Sequence, residues 1–369
     1  MQIRIITDDF TSALDGTACF AERGWATTVL TRPDDSVCAA VASLDTDTRE
    51  NLSARDSHVV ADAAQTWRDA DVLALQFDST LRGQIVQECS AARAASGRRK
   101  LLIAPAFPSA GRTTEAGRVF VHGVPVDETE FGRDPTLPVR ESSVPALFQA
   151  HGVDVAAARD AEHARELLDV CDAVVVDART EVELDAIVGK FAGRRDLLLA
   201  GSTGLLRALA RGLSRPEASS PGDEYKPASP LRCPWLVVGS LNPRSRRQLG
   251  VVRSKSRIHV LATSDDRLPA QEERRAALHD LVTQVVHLVR SGACDGLVVT
   301  GGETARRIVD ALPAVSLRVC REILPGIPLA EVRTAQGTFP MITKAGGFGD
   351  DDALLACVNA LTVSHGIRS

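Results

Sequence analysis

One recurring unit limits what this chain can fold into: a short apolar run that stops abruptly in small or polar residues, followed at once by a helical pattern. The strand-like stretch from Gln2 to Thr7 ends in Asp8-Asp9. Val72-Leu73-Ala74-Leu75 leads through Gln76-Phe77 into Asp78-Ser79-Thr80-Leu81-Arg82-Gly83, and Leu101-Leu102-Ile103-Ala104 enters Pro105 to Thr114. Further on, Leu197 to Ala200 gives way to Gly201-Ser202-Thr203-Gly204, Trp235 to Val238 to Gly239-Ser240, and Leu297 to Thr300 to Gly301-Gly302-Glu303-Thr304. Short apolar runs bounded by turn residues read as buried strands, and strands alternating with helices predict α/β architecture with mainly parallel sheets covered on both faces. In such sheets ligands sit beyond the carboxyl ends of the strands.

The 369 residues exceed what a single core usually organises. Ser214 to Pro230 is rich in Pro and Ser and has no apolar period, so it reads as a linker. We therefore expect a first domain over 1–213, a linker over 214–230 and a smaller second domain over 231–369, with the active site in the cleft between them. Strands are also expected at Trp25–Leu30 and Val37–Leu44, the latter delivering Asp47 and Arg49. The stretch from Gly117 to Ser142 lacks periodicity and reads as a long functional loop.

A net charge of −5 gives no whole-chain attraction to nucleic acid or to an anionic membrane. The longest apolar runs are too short to span a bilayer, and Met1-Gln2-Ile3-Arg4 has no signal-peptide layout, so a cytoplasmic location is expected. The 8 cysteines are scattered without a CxxC pair and signal neither zinc nor disulfides.

The hexapeptide at 78–83 offers a carboxylate, two hydroxyls and a guanidinium beside a helix amino terminus. That set suits a small anionic, hydroxylated ligand, because Arg clamps a carboxylate with two parallel bonds and free backbone N–H groups favour negative charge. The alternative is a plain helix cap, with Ser79 or Thr80 capping and Arg82 solvated. Asp9, Asp47, Arg49, Asp78, Arg82 and Arg112 together resemble a hydroxy-acid site. Alternation along a strand sends Asp8 and Asp9 to different sides, so one of them is expected to face the site. The prolines flanking 105–108 make a stiff loop that holds Arg112 in place.

The second half carries different chemistry. Gly301-Gly302 lets main-chain N–H groups approach phosphate oxygens, with Glu303 or Thr304 at the helix head. Lys344 precedes Gly346-Gly347, where a lysine suits neutralising a transferring phosphoryl group. Neither GxxxxGK[ST] nor GxGxxG occurs. Gly201 to Gly204 reads as a tight turn with a cap, and Asp350-Asp351-Asp352 as a helix start rather than a metal cluster. His122 is assigned no role, and no metal ligands are indicated.

Taken together, Thr7 to Ala13, Asp78 to Gly83, Ala104 to Arg112, Gly239-Ser240, Gly301 to Ala305 and Thr343 to Gly349 resemble, in order and nearly end to end, the four-carbon acid sugar kinase family. These are the ATP-dependent kinases of threonate, erythronate and 3-oxo-tetronate. The resemblance implies a sugar-acid domain followed by a nucleotide domain. It places substrate on Asp9, Arg49 and the segment Asp78, Ser79, Thr80 and Arg82, with Arg112 nearby, and places ATP on Ser240, Gly301, Gly302, Glu303, Thr304, Gly346 and Gly347. Mg²⁺ is implied with the ATP. The reaction it implies is transfer of the γ-phosphoryl to the acid's terminal hydroxyl, with Asp9 as preferred base, Asp78 as the other candidate and Lys344 beside the phosphates. Two departures stand out: Gln76 occupies a place where the family often has Lys, and the chain is short between Val251 and Asp295. Gln76 motivates an alternative, a non-catalytic sensor of sugar acid and nucleotide. Expected partners are those small molecules, with no nucleic acid and no membrane; assembly into homo-oligomers is left open.

Overall fold

Both faces of the first sheet are apolar because its strands alternate two sets of apolar side chains. Ile3 and Ile5 of β1 (Ile3–Thr7) enter one core with Ala74 and Leu102, while Ile6 enters another with Leu73, Leu75 and Ile103. In a computed structural model, which describes residues 1–34, 36–50, 56–134, 136–214, 231–264, 271–312, 314–335 and 337–363, the chain divides into two compact units, Met1–Ser219 and Ser220–Ser369. The expected linker, apart from Ser214, lies outside the described residues.

In chain order the first unit continues with α1 (Phe10–Ala21), β2 (Thr27–Leu30), β3 (Val41–Asp45), α2 (Asp56–Thr66), β4 (Val72–Gln76), α3 (Ile85–Ser96) and β5 (Lys100–Ala104). Three short strands follow, β6 (Arg112–Glu115), β7 (Arg118–Val121) and β8 (Val124–Pro125), then α4 (Val144–Gln149), β9 (Ala156–Ala158), α5 (Ala161–Val170), β10 (Ala173–Val176), α6 (Glu181–Phe191), β11 (Leu197–Gly201) and α7 (Thr203–Gly212). The main sheet runs β2-β3-β1-β4-β11-β5-β10-β9 with every pairing parallel. The stretch expected as an irregular loop over Gly117 to Ser142 is ordered in its first part, through Pro125. That part joins β6 in a separate antiparallel sheet, β6-β7-β8, whose turns use positive φ at Ala116, Gly117, His122 and Gly123.

The second unit comprises β12 (Pro234–Val238), α8 (Pro243–Lys255), β13 (His259–Ala262), α9 (Gln271–Arg290), β14 (Gly296–Thr300), α10 (Gly302–Ala311), β15 (Ala314–Leu324), β16 (Ile327–Thr334), β17 (Gly337–Lys344) and α11 (Ala353–Val363). Its sheet is mixed: β13-β12-β14-β17 is parallel, whereas β16 and β15 add on in antiparallel sense. That hairpin has no counterpart in the sequence reading. Its core gathers Leu236, Val238, Val298, Ile342, Leu354 and Val358.

Candidate functional site

In the first unit the carboxyl end of β1 organises its neighbours through the backbone. The Thr7 carbonyl accepts the Thr46 amide at 2.8 Å, and the Asp8 carbonyl accepts the amides of Thr48 at 3.1 Å and Arg49 at 3.0 Å. This lays the segment after β3 along the strand end, so that Arg49 grips Asp8 with two prongs, Nε to Oδ2 at 2.9 Å and Nη2 to Oδ1 at 2.7 Å. Arg49 also donates to the Ser12 hydroxyl at 2.9 Å and lies 3.5 Å from Asp9 Oδ2. Asp9 is the N-cap of α1: one carboxylate oxygen accepts the Ser12 amide at 2.9 Å and the Thr11 hydroxyl. The pair of acids therefore divides its labour. Asp8 is buried and spent on the arginine, while Asp9 keeps Oδ2 at a side chain that is 23 % exposed.

The hexapeptide closes over this pair. Leu81 and Gly83 adopt positive φ, 62° and 100°, and a Cβ on Gly83 would stand 3.3 Å from Asp8 Oδ2. Within it Arg82 Nε meets Asp78 Oδ2 at 2.6 Å, the Thr80 hydroxyl donates to the same oxygen, and Arg82 Nη1 lies 3.6 Å from Asp134. The guanidinium carbon of Arg82 sits 5.3 Å over the Phe131 ring. The N-cap of α3 is Gln84, whose side chain makes no capping bond, so neither Ser79 nor Thr80 caps that helix. Ser79 is half-buried on the loop. Arg112 folds back onto the Ala110 carbonyl, and its Nε finds no partner.

The electrostatics separate the three acids. Burial pushes the Asp8 carboxyl above its ordinary range, and the facing Arg49 does not cancel that effect. For Asp9 burial acts in the same direction but is outweighed by Arg49, the Thr11 hydroxyl and the Ser12 amide, leaving it below the ordinary value. Burial is outweighed further at Asp78, where Arg82, Arg49 and Thr80 bring the carboxyl down to about 2.

Gln76, at the end of β4, is buried and points to the opposite side of the strand end. Its Nε2 donates to Thr203 Oγ1 at 3.0 Å, and that hydroxyl donates in turn to Asp15 at 3.0 Å, which pairs with Arg207 at 3.3 Å. Its Oε1 has no partner and faces Gly16, where a Cβ would come within 2.3 Å. Asp15, Thr203 and Arg207 were not singled out in sequence. Only the Gly-Ser-Thr-Gly turn hinted at them, and it is a capped turn as expected, Ser202 accepting the Gly204 amide at 3.0 Å.

The second unit builds its strand ends from backbone. A Cβ on Gly239 would stand 2.0 Å from Thr304 Oγ1, and one on Gly346 would stand 2.3 Å from Ser240 Oγ. Gly301, at φ 107°, is the N-cap of α10 and gives it no side-chain cap; a Cβ there would lie 3.3 Å from the Ser240 amide. Gly239, Ser240, Gly301, Thr304 and Gly346 thus come together, and Gly302 opens the helix beside them. Glu303 turns outward into an ion pair with Arg307 at 2.8 Å. Gly347 is exposed, its carbonyl taken by Arg244 at 3.0 Å.

Three residues of α8 that sequence reasoning passed over hold this arrangement: Asn242, its N-cap; Ser245, whose hydroxyl donates to the Gly346 carbonyl at 2.8 Å; and Gln248, which donates to the Phe348 carbonyl at 3.1 Å. Their spacing of three residues on the helix after Gly239-Ser240 is the signal that could have found them. Lys344 is fully buried, and its ammonium donates to the carbonyls of Ala345, Phe348 and Gly346 at 2.9, 3.2 and 3.3 Å. The Asp350 to Asp352 run starts α11, with the Ala353 amide on the Asp350 carbonyl at 3.2 Å. No cluster of His, Cys, Asp or Glu suited to a metal ion occurs among the described residues, and none of the described helices is long and apolar enough to cross a membrane.

Comparison with known proteins agrees with this division of chemistry. Residues 3–209, more than half of the chain, match the model of a sugar-binding N-terminal domain, and residues 264–354 match that of a nucleotide-binding C-terminal domain. The chain belongs to the four-carbon acid sugar kinase family. It is 30% identical to D-threonate kinase of Bordetella bronchiseptica, with 97% of each chain covered. It is 26% identical to D-erythronate kinase of Heliobacterium modesticaldum, with 97% of this chain and 96% of that one covered. With 3-oxo-tetronate kinase of Brucella melitensis it shares 25% identity, over 95% and 94% of the two chains. A solved structure from Salmonella typhimurium LT2 shares the fold at a TM-score of 0.79 and 19% identity, covering 96% of this chain and 98% of that one. Another, from Bordetella bronchiseptica, a domain-swapped dimer with bound citrate, is 28% identical at a TM-score of 0.52 and covers 98% and 99% of the two chains.

Proposed function

We propose that this protein is an ATP-dependent kinase that phosphorylates the terminal hydroxyl of a four-carbon sugar acid, working in the cytoplasm. The observation that carries the reading is the pairing, within one chain of this family, of two unlike strand ends: a cluster of carboxylates and arginines in the first unit and a glycine-lined turn set in the second. The first suits a hydroxylated acid, with Arg82 toward the carboxylate and acids toward hydroxyls. The second suits phosphate oxygens, with Ser240, Gly301, Gly302, Thr304 and Gly346 around them.

Within this reading Asp9 is the base. Its Oδ2 has only the looser contact with Arg49, at 3.5 Å, on a side chain that is 23 % exposed, whereas Asp78 is held at about 2 by burial-opposing contacts with Arg82 and Arg49 and is the weaker proton acceptor. Phosphoryl transfer asks little covalent work of a protein, so positioning and charge neutralisation carry the rate. Mg²⁺ would arrive on ATP, where that ion is commonly held by phosphates, water and few protein oxygens; the Ser240 hydroxyl is a hard donor of the kind it accepts. Held with the nucleotide, the ion would supply charge neutralisation at the transferring group. A homo-oligomeric state is part of the proposal, supported by the dimeric Bordetella relative.

The test is incubation with Mg-ATP and a panel of D- and L-threonate, erythronate and 3-oxo-tetronate, following ADP. Acid-dependent ADP identifies both activity and substrate. Gln76 favours the second reading, a non-catalytic sensor, and binding of both ligands without acid-dependent ADP would establish that instead.

A further inference from the structure

Lys344 is a buried cation whose ammonium is paired with no carboxylate among the described residues; its three hydrogens are instead met by the carbonyls of Ala345, Gly346 and Phe348, with Ser245 Oγ at 3.5 Å. In a trans peptide the N–H points opposite to the carbonyl of the same unit, and no described peptide is cis. Drawing the carbonyls of Ala345 and Gly346 onto the ammonium therefore turns the amides of Gly346 and Gly347 away from it. Gly346 also packs on Ser240, since a Cβ there would fall 2.3 Å from Ser240 Oγ. Two successive amides turned outward over a buried positive charge make a concave anion receptor.

We propose that Lys344 is the positioning residue and buried counter-charge of a polyphosphate-binding turn, ordering residues 345–348 so that two amides meet the nucleotide's α- or β-phosphate, and that it takes up a proton when that phosphate binds above neutral pH. The proposal rests on the nucleotide reading of the second unit and assigns the lysine to the turn rather than to the transferring γ-phosphoryl. The surroundings agree. Burial, the largest cause, lowers the ammonium, Cys357 from α11 acts in the opposite sense and Arg244 from α8 adds to the lowering, which together leave it at about 8. An anion docked on the turn favours the charged form, so binding at higher pH draws a proton from solvent onto Nζ.

ADP is the probe, because it lacks the γ-phosphoryl. Calorimetric titration of the full-length protein at pH 8.5 and 9.5, in buffers of different ionisation enthalpy, should show net proton uptake and an affinity that falls as pH rises. Lys344→Met should weaken ADP binding about ten- to hundredfold, the worth of hydrogen bonds to a charged group, and abolish the uptake. ADP affinity that does not change with pH and shows no proton uptake in the unaltered protein would overturn the inference, whether or not the variant folds. A Lys344→Met protein that binds ADP normally but has lost turnover would overturn it too, returning the lysine to the γ-phosphoryl. Failure of the unaltered protein to bind ADP or ATP at any pH would overturn the nucleotide reading itself.

Discussion

The two units meet the same topological opportunity, the carboxyl ends of parallel strands, with opposite materials. In the first, charged side chains are bound to one another: Arg49 holds Asp8 and approaches Asp9, and Arg82 holds Asp78. In the second, glycines let the backbone close on the hydroxyl side chains of Thr304 and Ser240, and Lys344 is buried. A small hydroxylated acid differs from its isomers by the placement of a few hydroxyls, and only side chains can be aimed at them. Phosphates are alike in every nucleotide, and backbone amides recognise them without side-chain choice. The first unit should therefore respond to charge changes and the second to volume changes.

The largest effect expected from that contrast is on turnover. Asp9→Asn keeps a residue able to cap α1, so the helix start survives while the carboxylate charge is lost. The rate constant kcat for acid-dependent ADP formation should fall about 10²–10⁴-fold, the usual contribution of a general base, with ADP affinity unchanged. Near-normal kcat would remove Asp9 as base; a loss confined to the Michaelis constant of the acid would make it a hydroxyl anchor.

Next comes stability. Arg49→Met leaves the Asp8 carboxylate buried and unpaired, a situation that costs about 3–5 kcal/mol. Urea unfolding followed by a probe in the first unit should show that loss, and Asp8→Asn in the same background should recover part of it. An unchanged unfolding midpoint would mean that the pair is not buried as a unit. In the second unit the contrast calls for bulk instead of charge. Gly346→Val puts side-chain atoms where Ser240 Oγ stands and should weaken ADP binding by about tenfold or more while leaving the acid's Michaelis constant in place. Equal damage to both ligands would break the division of labour.

The contrast also explains how much was legible beforehand. Parallel strands covered on both faces announce themselves as apolar runs, which is why β1, β4, β5, β11, β12 and β14 were found, and glycines after such runs marked the close-packed strand ends of the second unit. Antiparallel strands with one wet face do not. Arg112-Thr113-Thr114-Glu115 and Arg118-Val119-Phe120-Val121 are four residues each, too short for a period of two to show, and they depend on positive-φ turns at Gly117 and Gly123. The strand from Ala314 to Leu324 mixes Arg318, Arg321 and Glu322 with apolar residues and breaks register three times over that span, so no alternation survives in the sequence. Candidate site residues could be named where a motif pointed to them. Ser245 and Gln248 were not, because they act on backbone carbonyls a hundred residues away. Nor could adjacency say which of Asp8 and Asp9 would be consumed by Arg49, since that depends on the backbone bonds from Thr48 and Arg49 to the Asp8 carbonyl.

A further effect, confined to low pH, sharpens the comparison from the acid side. Asp78 has its carboxyl brought from an ordinary 3.8 to about 2, against the pull of burial, by Arg82, Arg49 and Thr80. A group depressed in the folded state adds stability that is fully present above its unfolded value and fades as pH falls from about 4 toward 2. The size is about 2 kcal/mol at 1.36 kcal/mol per unit. Arg82→Ala removes the leading stabiliser of the charged form, so it should lower stability at pH 6 by roughly that amount and by less at pH 2.5, where the carboxyl of the unaltered protein is itself becoming protonated. Gly346→Val, which touches no carboxylate, should shift unfolding equally at both pH values. If Arg82→Ala cost the same at pH 2.5 as at pH 6, the Asp78–Arg82 pair would not be what holds the hexapeptide, and packing of Arg82 on Phe131 would take its place.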